Sequence, residues 1–121
     1  MSIVSKGRIL LAMREGAKFF TEIEKKSRVS SAILGKYLKD LEREGLITVI
    51  WDRSSGRMRP IYKLNESRMD EINKLINAYL EHEKKELKEK MEFVMHYIDF
   101  TEEEKKEIAE LVEKLKKKLG V

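Results

Sequence analysis

No cysteine occurs among the 121 residues, which excludes a disulfide framework, a thiolate metal site and a cysteine nucleophile. Long apolar runs are also missing. The longest, Ile9-Leu10-Leu11-Ala12-Met13, falls far short of the roughly 20 residues that span a bilayer, and Met1 to Lys6 lacks the form of a signal peptide, so a soluble, unprocessed, cytoplasmic protein with no membrane partner is expected. There is no glycine-rich phosphate loop: Gly7, Gly16, Gly35, Gly45, Gly56 and Gly120 are scattered and read as caps and turns. Only two histidines are present, His82 and His96. His82 and Glu86 stand four apart, but the second histidine of the zinc-protease motif is lacking, and a solvated helix face explains them. No enzyme activity, metal or cofactor is therefore expected. Glutamine is absent while Lys and Glu dominate, which agrees with a high-temperature origin; the six methionines point the other way.

What is present is charge. Charged residues make up 40% of the chain and hydrophobic residues 41%, against about 25% charged in an average soluble protein, so a core is affordable beneath a heavily ionised surface. The length suits one domain, or a small domain with an oligomerisation element. Residues 1–65 hold fourteen Lys/Arg and seven Asp/Glu, a net of +7, whereas residues 66–121 hold twelve and fifteen, a net of −3. Such a concentration of positive charge suits a polyanion, because neutralising phosphates releases condensed counterions; a basic surface kept for solubility is the other reading.

Hydrophobic period and cap signals divide the first half. Ile9, Leu10 and Met13 recur at helical spacing within Lys6–Glu15, and Gly16 stands where a left-handed cap belongs. Lys18-Phe19-Phe20 reads as a brief strand or a buried connector. Thr21-Glu22-Ile23-Glu24 has the capping-box form and predicts a short second helix, broken at Arg28-Val29-Ser30. Ser30 or Ser31 then caps a third helix running to about Glu44, with Leu34, Leu38 and Leu41 as its apolar stripe and Gly45 as its stop. Two extended runs, Leu46–Trp51 and Met58–Leu64, flank the polar turn Arg53-Ser54-Ser55-Gly56-Arg57 and predict a β-hairpin. Pro60 cannot donate to a ladder, which places the returning strand at an edge. Tyr62 and Leu64 share the inward parity; Arg57, Arg59 and Lys63 take the other. Trp51 is read as core packing before a partner or ligand contact.

The order helix, short strand, helix, tight turn, helix, hairpin resembles the winged helix-turn-helix of prokaryotic and archaeal transcription regulators of the MarR, ArsR and PadR kind. The resemblance covers residues 5–65 and is most specific from Phe20 to Ile47, where a short helix is followed by Val29-Ser30 and a helix ending in Leu38-Lys39-Asp40-Leu41-Glu42-Arg43-Glu44-Gly45-Leu46-Ile47. It implies a mainly α fold with a small β-hairpin wing, and double-stranded DNA as partner. The third helix, about 30–44, would enter the major groove. Ser30 and Ser31 would reach phosphates or base edges, Lys36 and Lys39 phosphate or guanine, and Tyr37 the backbone, while Ala32 and Gly35 permit close approach. In the wing, Arg53, Arg57 and Arg59 suit a phosphate backbone or a minor groove. Winged helices also serve as protein-interaction or architectural, non-specific DNA-binding modules, which remain the alternative reading.

Beyond residue 65 the pattern becomes helical. Met69, Ile72, Ile76, Leu80, Leu87, Met91, Val94 and Ile98 follow steps of three and four, interrupted at Glu83, and fit an eleven-residue repeat and so a nearly straight seam. Asp99 and Phe100 end that helix. Thr101-Glu102-Glu103-Glu104 is a second capping box opening a terminal helix with the stripe Ile108, Leu111, Val112, Leu115 and Leu119. Lys114, Lys116, Lys117 and Lys118 complement its dipole rather than a DNA strand. Two stripes need a covering surface, and a second copy supplies it: residues 66–121 are expected to form a homodimerisation region, an intramolecular helical hairpin being the alternative. A second reading gives Met91, Phe93 and Met95 to an apolar effector pocket, with no effector indicated; packing is the commoner use of methionine.

Overall fold

The computed structural model describes residues 1–120, apart from the side chain of Leu119, whose expected place on the terminal stripe lies outside the described residues. Five helices and one hairpin follow in the order α1 (Ile3–Arg14), α2 (Phe20–Ser27), α3 (Ser31–Arg43), β1 (Ile47–Asp52), β2 (Arg59–Leu64), a short 3₁₀ turn (Glu66–Arg68), α4 (Met69–Tyr97) and α5 (Glu102–Leu119). This is the mainly α, winged helix-turn-helix architecture with C-terminal helices that the pattern implies. The chain falls into two compact units, Met1–Tyr79 and Leu80–Val121.

The first unit is built around one core. Ile9 and Leu10 of α1, Ile23 of α2, Leu34, Leu38 and Leu41 of α3, and Leu46 and Ile47 at the start of the hairpin are all fully buried. They are joined by Ile72 and Ile76 from the first turns of α4. This corrects the expectation for those two positions: a side chain with no exposed area has nothing to offer a second copy, so Ile72 and Ile76 belong to this core and not to an open seam. Met69 is half-buried in the same unit.

Helix boundaries follow the local chemistry with one shift of register. The Ser2 hydroxyl accepts from the Ser5 amide at 3.2 Å and starts α1 three residues before the expected point. The α2 start is a correction. Thr21 and Glu24 do not form the box; the helix begins at Phe20, and Glu22 accepts from the Phe19 amide at 3.1 Å and the Lys18 amide at 3.3 Å. Phe19 has no oxygen with which to reciprocate, so half of the box is present, moved upstream by two residues. Those two amide bonds hold the Glu22 carboxyl below its ordinary range. Lys18 is a connector with one sheet-like bond, its carbonyl accepting from the Tyr62 amide of β2 at 2.8 Å.

Gly16, Gly45 and Gly56 take positive φ, at 109°, 80° and 80°, as caps and turns require. Gly7 and Gly35 depart from that reading and lie inside helices. Gly7 is buried, and a Cβ placed on it would run into the Tyr79 side chain of α4. Its lack of a side chain is what lets α1 and α4 approach.

The hairpin is antiparallel, in the register Ile47↔Leu64 to Asp52↔Arg59, with Trp51 opposite Pro60. A two-stranded sheet has only edges, so Pro60 costs no interior ladder bond. Where β2 leaves the wing, Asn65 ties it back: its amide donates to the Leu46 carbonyl at 2.9 Å and its side-chain amide to the Gly45 carbonyl at 2.8 Å. Arg68 donates to the Glu44 carbonyl at 2.9 Å, so the end of α3 is clamped to the approach to α4.

In the second unit the sequence locates the break correctly. After Tyr97 the helix stops, and Thr101 caps α5: its hydroxyl accepts from the Glu104 amide and the Glu104 carboxylate accepts from the Thr101 amide, both at 3.1 Å. Thr101→Ala is expected to cost about 1 kcal/mol of local helix stability, a factor of about five in opening of that turn. Amide hydrogen exchange at Glu104 measures it. No helix among the described residues is long and apolar enough to cross a membrane.

Candidate nucleic-acid interface

The α3 stripe of Leu34, Leu38 and Leu41 is buried, which by helical geometry turns the other face outward. Ser30, Ser31, Ala32, Lys36 and Lys39 are exposed there, and Gly35 and Tyr37 are half-buried. Ser30 occupies the cap position, yet its hydroxyl makes no cap hydrogen bond, and its carbonyl accepts the first helical amides, from Ile33 and Leu34. The hydroxyl and the unbonded amides of the first turn are thus presented to solvent at the positive end of the helix.

Cations on this surface fall into two groups. Lys36, Lys39, Arg53 and Arg57 are exposed and make no ion pair among the described residues, whereas Arg59 is committed. The Arg59 guanidinium lies 3.9 Å from the centre of the Phe19 ring, and its Nε is 3.6 Å from the Asp52 carboxylate across the ladder. It braces the base of the wing against the connector before α2. The six-residue tip, 53–58, is ordered from the same carboxylate: the Ser54 amide and hydroxyl both donate to Asp52, each at 3.0 Å, and the Gly56 amide donates to the Arg53 carbonyl at 3.2 Å. The Ser54 bonds, with Arg59 as a lesser contribution, hold the Asp52 carboxyl below its ordinary range. Asp52 escaped the sequence reading, although Asp two residues before a backbone donor is a turn signal that identifies it.

Trp51 is a second departure. It is 56% exposed and not a core residue, and with Ile50 at 46% and Met58 at 56% it makes the hairpin apolar as well as basic. Arg28, also missed, is exposed at a left-handed φ of 58° in the turn between α2 and α3, beside Ser30. The signal for it is the break itself.

The second unit holds the remaining expected positions. Leu80, Met91 and Val94 are half-buried and Leu87 and Ile98 exposed. Met91 and Met95 of α4 line an open groove of about 420 Å³ with Ala109 and Val112 of α5; Phe93 points elsewhere, 61% exposed, its ring centre 4.6 Å from that of Tyr97. The His82 Nε2 is 3.9 Å from Glu86, and among the described residues no group of three His, Asp or Glu is placed to hold a metal ion.

Residues 5–91 match the family described as HxlR-like helix-turn-helix. No curated protein matches the chain. Among solved structures, the fold is similar to that of Lactococcus lactis ZitR, described as a zinc-responsive MarR family member: 20% identity, TM-score 0.57, with 98% of this chain and 76% of that one covered. A ZitR variant in complex with DNA gives 21% identity, TM-score 0.58 and coverages of 98% and 75%. The circadian clock associated protein Pex from anabaena gives 21% identity and TM-score 0.57 over 70% of this chain and 82% of that one. The wing and the helix pair before it are therefore those of a winged helix-turn-helix fold.

Proposed function

Because the chain belongs to the HxlR-like helix-turn-helix family, we propose that it is a transcription regulator that binds double-stranded DNA sequence-specifically as a homodimer, with α3 in the major groove and the wing tip on the backbone or in a minor groove. One observation carries the reading: Lys36, Lys39, Arg53 and Arg57, without ion-pair partners among the described residues, share one unit with the exposed hydroxyl and amides at the α3 start. The four cations supply affinity by displacing counterions, which is independent of base identity. Ser30, Ser31 and Tyr37, with Ala32 and Gly35 allowing approach, supply position and base discrimination. Arg59 acts through the wing it braces.

Selection of bound duplexes from a random pool tests this directly. A symmetric consensus is expected, with half-sites about one helical turn (~34 Å) apart or a multiple of it. Uniform recovery of all sequences would assign the protein to non-specific coating, and recovery of none to a protein-docking module.

The homodimer draws on the second unit. Leu87, Phe93, Tyr97, Ile98, Leu111 and Leu115 are all exposed there, and an apolar surface of that extent on so small a helical unit calls for a cover. The pairing face accordingly begins after the buried Ile72 and Ile76, at Leu80, Leu87, Met91, Val94 and Ile98. Light scattering at micromolar protein is expected to give twice the 14.3 kDa chain mass, and Leu87→Glu to halve it. A wild-type monomer would remove the dimer.

A further inference from the structure

We propose that Trp51 is a direct nucleic-acid contact, its indole packing on a deoxyribose of a duplex strand that lies along the groove between α3 and the hairpin; this rests on the DNA-binding reading above. The groove, of about 310 Å³, is walled by Gly35, Lys39 and Glu42 on α3 and by Trp51, Pro60 and Tyr62 on the hairpin. Its β1 wall, Val49 and Trp51, continues the strand face that begins at Ile47, and along these three residues burial falls from complete to half to mostly exposed. The core face of the strand thus runs past the end of the core, and its last and largest side chain is left uncovered within its own unit. Tryptophan is rarely so exposed without a partner for its large apolar surface.

Charge identifies that partner. Lys39 stands on the facing wall, and Arg53 follows Trp51 by two residues into a tip that also carries Arg57; none of the three has an internal ion pair among the described residues. Two carboxylates are nearby. Asp52 is occupied by Ser54 and Arg59, and Glu42 faces Tyr62, the residue two places further from the tip than Pro60. The open end of the groove at Trp51 is therefore cationic and apolar together. A deoxyribose has the matching chemistry, a C–H face held beside phosphates, whereas an apolar protein helix would leave the lysine and arginines without partners.

Trp51 is the sole tryptophan, so its fluorescence reports this contact alone. With a labelled duplex of the selected sequence bound at saturation, judged by anisotropy, the indole emission is expected to change and its quenching by acrylamide to fall severalfold. W51A is expected to weaken binding about tenfold while leaving the salt slope unaltered, since no phosphate contact is removed; W51F restores most of the loss. Duplex bound with undiminished quenching, or W51A binding as wild type does, would overturn the contact and leave the DNA-binding reading intact. Failure of the wild-type protein to bind any duplex overturns both. Tighter binding of single-stranded than of duplex DNA, with Trp51 protected only there, overturns the deoxyribose assignment in favour of base stacking.

Discussion

Lys36→Ala combined with Arg57→Ala is expected to weaken duplex binding by tenfold or more at about 0.15 M salt, and to reduce the magnitude of the slope of log affinity against log salt by about one to two units. Both outcomes follow from the same count. Each side chain is exposed and makes no ion pair among the described residues, so removing it deletes a phosphate contact and its released counterion without disturbing the fold. Lys36 stands on α3 and Arg57 on the wing, and losses at both test whether one duplex spans the two elements. Lys117→Ala is the matching control, because the lysines of the last turns of α5 complement the helix dipole, and it is expected to leave affinity and slope unchanged. Unaltered binding by the double variant would remove this face from the interface.

Gly7→Ala is expected to destabilise the first unit by about 1–3 kcal/mol, lowering its melting temperature by roughly 4–8 °C per kcal/mol for a domain of this size. On an exposed helix the same change is stabilising by up to about 1 kcal/mol, since alanine loses less backbone entropy than glycine. The sign reverses here because the added carbon would overlap the Tyr79 side chain, which is attached to another helix and backed by the Ile72 and Ile76 core. The cycle with Tyr79→Ala separates the two effects. Once the ring is gone, Gly7→Ala should become neutral or favourable, as measured by thermal or denaturant unfolding. A loss of equal size in both backgrounds would place the strain in α1 itself.

The sequence and the structure agree where a feature depends on neighbours in the chain. Leu34, Leu38 and Leu41 recur at helical spacing, and whichever side they bury, Lys36 and Lys39 must emerge on the other. The break at 98–100 and the Thr101 box were legible because a cap requires only a hydroxyl and a carboxylate three residues apart. The same logic misplaced the start of α2. Thr21 and Glu24 satisfy the pattern, but the approach of Lys18 to Tyr62 sets where the chain turns, and Glu22 is the carboxylate within reach of the exposed amides.

By itself, then, the sequence determined the order of the helices and the hairpin, though not the absence of a strand at 18–20, together with the basic character of its first half and the faces of its helices, because periodicity and capping act over one to four residues. Only the tertiary structure decided which apolar stripe meets which. It took Ile72 and Ile76 into the first core, set Gly7 against Tyr79, paired Arg59 with Phe19 and Asp52, and left Trp51 beyond the edge of the core. In each case the deciding quantity is the distance between residues far apart in the chain, which no local pattern encodes, and the free energy of burying or pairing a side chain depends on that distance.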